Sequence, residues 1–226
     1  MEFRSILIDI DDTLLDFGKA ERAAISKAYR DYGIDPTPER LARYSEINIA
    51  QWEAMERGEL TRSQVLLRRH ELFFGELGVE VPIQEFEDRY RGYLGVGHYF
   101  MDGAEELLEY LYGKYDLYIA SNGVAETQYS RMASAGIEKY FKGVFISETT
   151  GSHKPEKAYF DYCFARMEDF DSDKTLIIGD SLSSDIKGGL HAGIKTCWYN
   201  PKGKPGRFDI VPHYEIRDLK EIQKIL

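Results

Sequence analysis

The stretch Ile6-Leu7-Ile8-Asp9-Ile10-Asp11-Asp12-Thr13 joins a short apolar run to three acids within four positions. Such a run predicts a buried strand, and the carboxylates then stand at the carboxyl end of that strand. In an open α/β sheet, ligands bind at this edge. Acids in that position can bind a metal, act as nucleophiles or proton donors, or cap the next turn, so the rest of the chain must decide between these roles.

Strand and helix patterns alternate from Tyr99 onward. Repeated β-α units indicate a parallel sheet that is covered on both faces, so the predicted fold class is α/β. The first strand would belong to the same sheet. The predicted strands are 117–120, 144–146, 175–178 and 196–198, and the predicted helices are 125–135, 156–167 and 185–192, with a further helix capped by Asp102-Gly-Ala-Glu105.

The region from about Phe17 to Leu94 has a different character, because acids, bases and Ala or Leu mix there at helical spacing. Thr37-Pro38 is typical of an N-cap followed by proline at the first helical position, and Thr61-Arg-Ser-Gln64 fits a capping box. Gly78 and Gly95 are expected helix stops. We predict about four helices packed on one another and inserted after the first strand.

The composition excludes several classes of partner. The formal net charge of −10 disfavours a nucleic-acid polymer, because binding its backbone depends on Lys and Arg releasing counterions. Anionic membrane surfaces are disfavoured for the same reason. A small anionic substrate stays compatible with this charge, since a local cation can reverse the field inside one site.

The two cysteines favour a reducing compartment, and the hydropathy of the chain argues against a signal peptide or a membrane span. Cys163 and Cys197 lie in a predicted helix and a predicted strand, which is typical of buried, reduced thiols. Asp9 interrupts the first apolar run too early for a signal peptide, and later apolar runs are too short to span a bilayer. We therefore expect a cytoplasmic protein without a membrane partner. A monomer or homodimer is expected, and the sequence does not distinguish the two.

Three further polar signals follow predicted strands or lie in the loops of the alternating region. Ser121-Asn122-Gly123 comes after the second strand, Lys154-Pro155 precedes a helix, and Gly179-Asp180 follows the strand that ends at Ile178, with Asp185 five residues later. Each signal alone is common in turns and helix starts. Because they meet the acids of the first strand at the same sheet edge, together they predict one site.

On these residues the chain resembles the haloacid dehalogenase superfamily. The superfamily pattern consists of an Asp-x-Asp-x-Thr start, a Ser or Thr after the second strand, a Lys, and a terminal pair of Asp residues. The resemblance implies a Rossmann-like core of residues 1–16 and 97–226 with an inserted helical cap domain of residues 17–96. More narrowly, Asp11-Asp12-Thr13 and the stretch 184–200 resemble a branch of pyrimidine 5′-nucleotidases.

The resemblance implies a phosphatase that forms an aspartyl phosphate on Asp9, while Asp11 protonates the leaving oxygen and then deprotonates the attacking water. A phosphomonoester dianion repels a carboxylate nucleophile by roughly 9 kcal/mol at about 3.5 Å and an effective dielectric near 20, so cations must offset this repulsion. Mg²⁺ suits the site because it prefers oxygen ligands and binds through one or two carboxylates plus substrate phosphate.

The remaining implied roles concern the metal and the phosphate. The metal would be held by Asp9, Asp180 and the backbone carbonyl of Asp11. Lys154 would be catalytic and would contact the transferring phosphoryl oxygens. The resemblance further implies that Ser121 and Asn122 bind the phosphate, and that Asp185 orients metal-bound waters or Lys154. The partner would be a small phosphorylated substrate, with a pyrimidine nucleoside monophosphate favoured.

Several alternatives stay open at this point. A dehalogenase of the same fold resembles a pattern that lacks the second acid, so Asp11 argues against it. A sugar-phosphate or phosphoglycolate phosphatase, a phosphomutase and a non-enzymatic binding protein all remain compatible with the four signals. Gly179-Asp-Ser-Leu182 also resembles a serine esterase signature with Ser181 as nucleophile, although Asp209 and His213 are four residues apart instead of three.

The remaining candidate residues have either a structural role or a role in substrate contact. Asp12 is expected in a turn that tolerates left-handed φ. The five His residues show no metal-ligand spacing, so a zinc site is not expected. Phe17 is a better candidate for substrate contact than the aromatic residues of the helical insert. The aromatic residues of the helical insert either stack on a nucleobase or form its core, and they are Trp52, Phe73, Phe74, Phe86, Tyr90 and Tyr93.

Overall fold

All strands assigned in the computed structural model, which describes residues 3–226, form one parallel sheet in the order β3-β2-β1-β4-β5-β6. The central strand β1 pairs with β2 and β4, so their carboxyl ends share one sheet edge. The strands are β1 Ser5–Ile8, β2 Asp116–Ser121, β3 Gly143–Ile146, β4 Thr175–Gly179, β5 Lys195–Tyr199 and β6 Tyr214–Ile216.

The sheet is buried on both faces, as expected for parallel strands joined by helices. Successive residues of β1 point to opposite faces: Ile6 and Ile8 belong to one apolar cluster and Leu7 to the other. Helices α5 and α6 cover the first face, and α8 covers the second. Their bounds are α5 Ala104–Leu111, α6 Ala125–Ala135 and α8 Lys157–Phe164, and the shorter α7 and α9 span Ser147–Thr150 and Lys187–His191.

Four helices between β1 and α5 form what we call the helical block. They are α1 Phe17–Asp31, α2 Pro38–Glu56, α3 Arg62–Leu77 and α4 Ile83–Leu94. The block has an apolar cluster of its own, in which the Tyr29 and Phe73 rings stack at 5.1 Å between centroids. Four of the aromatic residues that were candidates for base stacking are buried in this cluster, namely Phe73, Phe74, Phe86 and Tyr90.

The local signals at the ends of these helices are confirmed. The Thr37 hydroxyl accepts from the backbone of Arg40 at 3.4 Å, and Thr61 forms a reciprocal capping box with Gln64. Gly78 ends α3 in the left-handed region at φ 64°. In the loop before α1, Asp12 has φ 56°, as predicted, and its carboxylate accepts from the backbone of Phe17 at 3.0 Å.

Other expectations at helix ends were wrong. Asp102 does not cap α5, because Gly103 turns the chain at φ 80° and, in the described chain, no side chain bonds to the start of this helix. The predicted helix 185–192 begins earlier, with a π-helical turn at Leu182–Ile186. The edge strand β6 and the 3₁₀ helix Leu219–Lys224 were not predicted, since segments this short carry little periodicity. Among residues 3–226, no helix has the length and apolar character needed to cross a bilayer.

Candidate active site

A buried lysine lies at the centre of the site, at the carboxyl edge of the sheet. The Lys154 ammonium donates to Asp9 Oδ1 at 2.7 Å, to Asp185 Oδ1 at 2.7 Å and to the Ala120 carbonyl at 2.6 Å. These three acceptors use its three protons, and only 1% of the residue is exposed. The structure therefore joins the end of β1, the end of β2 and the turn after β4 through one cation.

Burial and neighbouring charges have opposite effects on the pKa values of this cluster. Burial raises the pKa of Asp9 well above its usual range, and Lys154 offsets part of this rise. Burial also raises the pKa of Asp180 to about 7, with a further contribution from the Asp185 carboxylate. Burial alone would lower the pKa of Lys154, but Asp185 and Asp9 raise it, so the ammonium stays charged.

The acids of the cluster fit a divalent cation. Carboxylate oxygens of Asp9, Asp180 and Asp185 lie within 4.8 Å of one another. With all three ionised, the buried Lys154 ammonium offsets one of the three charges, and the exposed Lys204 ammonium lies 3.6 Å from Asp180 Oδ2. Hard carboxylate oxygens in this number and charge suit Mg²⁺. Because Asp185 Oδ2 also accepts from the Ser181 backbone at 3.1 Å, both of its oxygens are engaged, and Asp9 and Asp180 are the better-placed ligands.

The Asp11 carboxylate lies apart from the three-acid group and faces α6. Its Oδ2 accepts from Gln128 Nε2 at 2.8 Å, and its Oδ1 accepts from the Arg131 guanidinium. The side chain keeps 31% exposure and lines the cavity described below. A metal contact of Asp11 is thus left to its backbone carbonyl, which stays a prediction.

Ser121 and Asn122 differ in how much of their side chain is available to an anion. The Ser121 hydroxyl oxygen accepts from Gln128 Nε2 at 2.8 Å and from Gly123 N at 3.1 Å, which leaves its own proton to donate. The Asn122 side chain instead bonds to the Lys154 backbone in both directions, each at 2.9 Å. Asn122 therefore positions Lys154, and its predicted phosphate contact is left to its backbone.

A cavity of about 290 Å³ separates this cluster from the helical block. Asp9, Asp11 and Lys154 line its floor. Phe17 and Trp52, two of the candidates for substrate contact, line it from the helical block, whereas the Tyr93 hydroxyl donates to Asp31 at the surface. The other lining residues of the helical block include Asn48, Ile49, Glu53, Glu56, Leu66 and Arg69.

The structure contradicts the serine esterase interpretation, since its three residues bond to different partners. Ser181 caps the turn that follows it, the His213 ring lies 3.1 Å from the Thr196 hydroxyl, and Asp209 pairs with Arg207 at the surface. Over residues 3–226, the group capable of holding a metal consists of acids alone. Both cysteines are free and buried.

Sequence reasoning missed Gln128 and Arg131, which contact a predicted site residue. Their spacing of three places them on one face of α6, and polar side chains on a helix face that packs against the core are a usable signal. It also missed Glu56, which accepts from the Ser183 hydroxyl at 2.7 Å and so joins the helical block to the turn after β4.

Comparison with known proteins gives the family of the chain. The family described as "Haloacid dehalogenase-like hydrolase" matches residues 6–199. The HAD-hydrolase YfnB of Bacillus subtilis is 45% identical over 99% of this chain and 95% of its own length. Pyrimidine 5′-nucleotidase PynA of Streptococcus pneumoniae is 34% identical over 98% of this chain and 94% of its own length.

Solved structures give the same fold. The crystal structure of YfnB bound to magnesium superposes with a TM-score of 0.96 at 45% identity and covers 100% of this chain and 99% of that chain. L-2-haloacid dehalogenase from Xanthobacter autotrophicus has a TM-score of 0.79 at 14% identity, over 99% and 98% of the two chains, and so shares the fold alone. The match over residues 6–199 and the identity along nearly the whole chain show that this protein belongs to the haloacid dehalogenase-like hydrolase family.

Proposed function

We propose that this hydrolase is a Mg²⁺-dependent phosphatase that acts on small phosphomonoesters through an aspartyl phosphate, with a pyrimidine nucleoside monophosphate as favoured substrate. The observation that carries the proposal is the buried ammonium of Lys154 between Asp9 and Asp185, with Asp180 in the same cluster. The magnesium bound to YfnB supports the metal, and the name of PynA supports the substrate class.

The chain's own residues then perform two displacements at phosphorus. An oxygen of Asp9 forms a bond to phosphorus while the bond to the leaving oxygen breaks, and Asp11 donates a proton to that oxygen. Asp11 next takes a proton from water, which attacks phosphorus as the bond to Asp9 breaks. Lys154 offsets the charge of the approaching phosphate throughout. Mg²⁺ held by Asp9 and Asp180 supplies further positive charge when bound.

The cavity supports an organic leaving group larger than the phosphate itself. We propose that the helical block is a cap domain of residues 17–96 on a core of residues 1–16 and 97–226, and that the cap forms the leaving-group pocket. Phe17 and Trp52 offer aromatic surface to this pocket, whereas the polar groups of Asn48 and Arg69 bond to each other and to Glu21 and Glu87. Aromatic surface of this kind suits a nucleobase.

A phosphate-release screen tests the substrate class. With Mg²⁺ present, we expect pyrimidine nucleoside monophosphates to exceed sugar phosphates and phosphoglycolate by at least about tenfold in kcat/KM, because their bases fill the cavity. EDTA is expected to abolish release. Turnover of sugar phosphates without nucleotides would remove the substrate claim. Conversion of a sugar phosphate to its isomer would favour a mutase, and an enzyme that releases phosphate from none of these compounds would contradict the phosphatase.

Magnesium affinity is expected to fall in acid. Burial raises the pKa of Asp180 to about 7, so protons compete with the metal below that pH, and apparent affinity should fall by up to about tenfold per pH unit. The raised pKa also means that the folded metal-free protein binds more protons than the unfolded chain. The contribution of Asp180 to the stability of the metal-free protein is therefore fully present in acid and is lost as pH rises through about 7.

Calorimetric titration with Mg²⁺ and melting curves at pH 6, 7 and 8 measure both effects. The gain in melting temperature on adding Mg²⁺ should be largest at pH 8. Asp180→Asn is the control, because it removes this titrating group and should remove its contribution to the pH dependence of stability in the metal-free protein. Equal magnesium affinity at pH 6 and pH 8 in the unaltered protein would refute the assignment of Asp180 as a ligand.

Location and assembly stay predictions. The two buried free thiols, Cys163 and Cys197, support a reducing compartment such as the cytoplasm. We propose a monomer or homodimer, and light scattering of the purified protein distinguishes the two.

A further inference from the structure

Two polar residues on the buried face of α6 hold the Asp11 carboxylate from behind. Gln128 is 2% exposed and Arg131 is fully buried. Gln128 Nε2 donates to Asp11 Oδ2 at 2.8 Å, and the Arg131 guanidinium donates to Asp11 Oδ1. Arg131 Nη1 also donates to Gln128 Oε1 at 3.0 Å. Both carboxylate oxygens are therefore held, and the two side chains that hold them are fixed to each other.

Gln128 also connects Asp11 to the second strand. Its Nε2 donates to the Ser121 hydroxyl at 2.8 Å as well as to Asp11. A Cβ atom on Gly123 would lie 2.8 Å from the side chain of Gln128, so only glycine leaves room for it there. The side-chain amide of Gln128 therefore bonds both to Asp11, the proposed proton donor, and to Ser121, a proposed phosphate contact.

Arg131 connects Asp11 to both chain segments that join the helical block to the core. Its Nε donates to the Gly97 carbonyl at 3.1 Å, where the chain returns from the block. Its guanidinium lies 5.7 Å from the centre of the Phe17 ring, where the block begins. A Cβ atom on Gly97 would lie 2.9 Å from that of Ala20, so glycine permits this close approach to α1.

Packing alone does not explain a buried arginine at this position, because desolvating its charge costs free energy. Within the described residues, Arg131 Nη2 is buried and has no hydrogen-bond partner. A buried guanidinium is expensive to desolvate, and apolar residues of similar volume fill such space at least as well. Asp11 meanwhile keeps 31% exposure on its cavity side. The contacts thus hold the back of the carboxylate and leave its front open to a substrate.

We propose that Gln128 and Arg131 are positioning residues that fix the Asp11 side chain in the orientation from which its carboxyl group, once protonated, donates to the leaving oxygen. The inference rests on the proposed phosphatase function, in which Asp11 is the proton donor. Neither residue gains or loses a proton. Gln128 sets the distance of Asp11 from Ser121, and Arg131 sets the position of Asp11 relative to the segments that carry the helical block.

Leaving-group dependence tests this role in Gln128→Ala. A nucleoside monophosphate expels an alkoxide that needs protonation, whereas p-nitrophenyl phosphate expels a stable phenolate that does not. With the alkyl ester, kcat should fall about 10- to 100-fold, and with the aryl ester less than about threefold, while KM stays nearly constant. A defect that is merely structural lowers both rates equally. Gln84→Ala, an exposed glutamine on α4 that bonds to Asp88, is the matched control and should change neither rate.

Two further variants keep the test decisive. Arg131→Lys retains the charge, so the fall in kcat with the alkyl ester should be smaller in this variant than in Arg131→Met. In an Asp11→Asn background, Gln128→Ala should cause no additional loss, because its effect passes through Asp11. Three results would each overturn the inference while leaving the phosphatase intact. They are an equal fall in kcat with the two esters, a change confined to KM, and full additivity of Gln128→Ala with Asp11→Asn. An unaltered enzyme that hydrolyses neither ester would overturn both.

Discussion

Asp9→Asn is expected to lower phosphate release from a nucleoside monophosphate by at least about 10⁴-fold. The amide oxygen is a poor nucleophile and cannot form the aspartyl phosphate, and the substitution also removes a proposed metal ligand. Folding should survive, because Lys154 keeps its bond to Asp185. Since burial raises the pKa of Asp9, the charge of this carboxylate is itself unfavourable, so the melting temperature of the metal-free protein should stay equal or rise.

Single-turnover rates with Mg²⁺ and melting curves without it measure the two parts of this prediction. Asp116→Asn is the matched control, because Asp116 pairs with Ser5 at the opposite end of β1 and forms ion pairs with Arg4 and Lys142. That variant should retain full turnover. An Asp9→Asn enzyme within tenfold of the unaltered rate would show that another group attacks phosphorus.

Lys154→Met is expected to damage folding and catalysis together. The substitution keeps an unbranched side chain, one atom shorter, but leaves Asp9 and Asp185 buried without their cation. Removing one partner of a buried ion pair costs about 3–5 kcal/mol of unfolding free energy, since the remaining charges stay desolvated. Phosphate release should fall below detection, because the ammonium that offsets the charge of the substrate is gone.

Urea unfolding at pH 7.5 measures the loss of stability, and Mg²⁺ is expected to restore part of it by compensating the same carboxylates. Lys157→Met is the matched control. Lys157 pairs with Asp161 one helical turn away, both side chains are more than half exposed, and such surface pairs contribute little. A Lys154→Met protein as stable as the unaltered one would mean that the buried cation does not hold the cluster together.

Much of the fold could be predicted because its signals are local. The apolar run that ends at Ile8 predicts β1 without reference to any partner, since a parallel strand is buried on both faces. The Thr61 capping box and the glycine stop at Gly78 are equally local, because their hydrogen bonds close within a few residues. Where such signals are weak, prediction fails. Strand β6 has only three residues, and the start of α5 follows the conformation of Gly103 instead of a bond from Asp102.

The sequence by itself determined which chemical groups stand at the carboxyl edge of the sheet, because Asp9, Ser121 and Asp180 lie at or directly after strands and the carboxyl ends of parallel strands share one edge. Only the tertiary structure decided what those groups contact. The Asn122 side chain bonds to the Lys154 backbone, and Gln128 holds Asp11 across 117 residues of chain. Periodicity specifies the face on which a side chain lies, but the partner it meets there depends on the packing of distant segments.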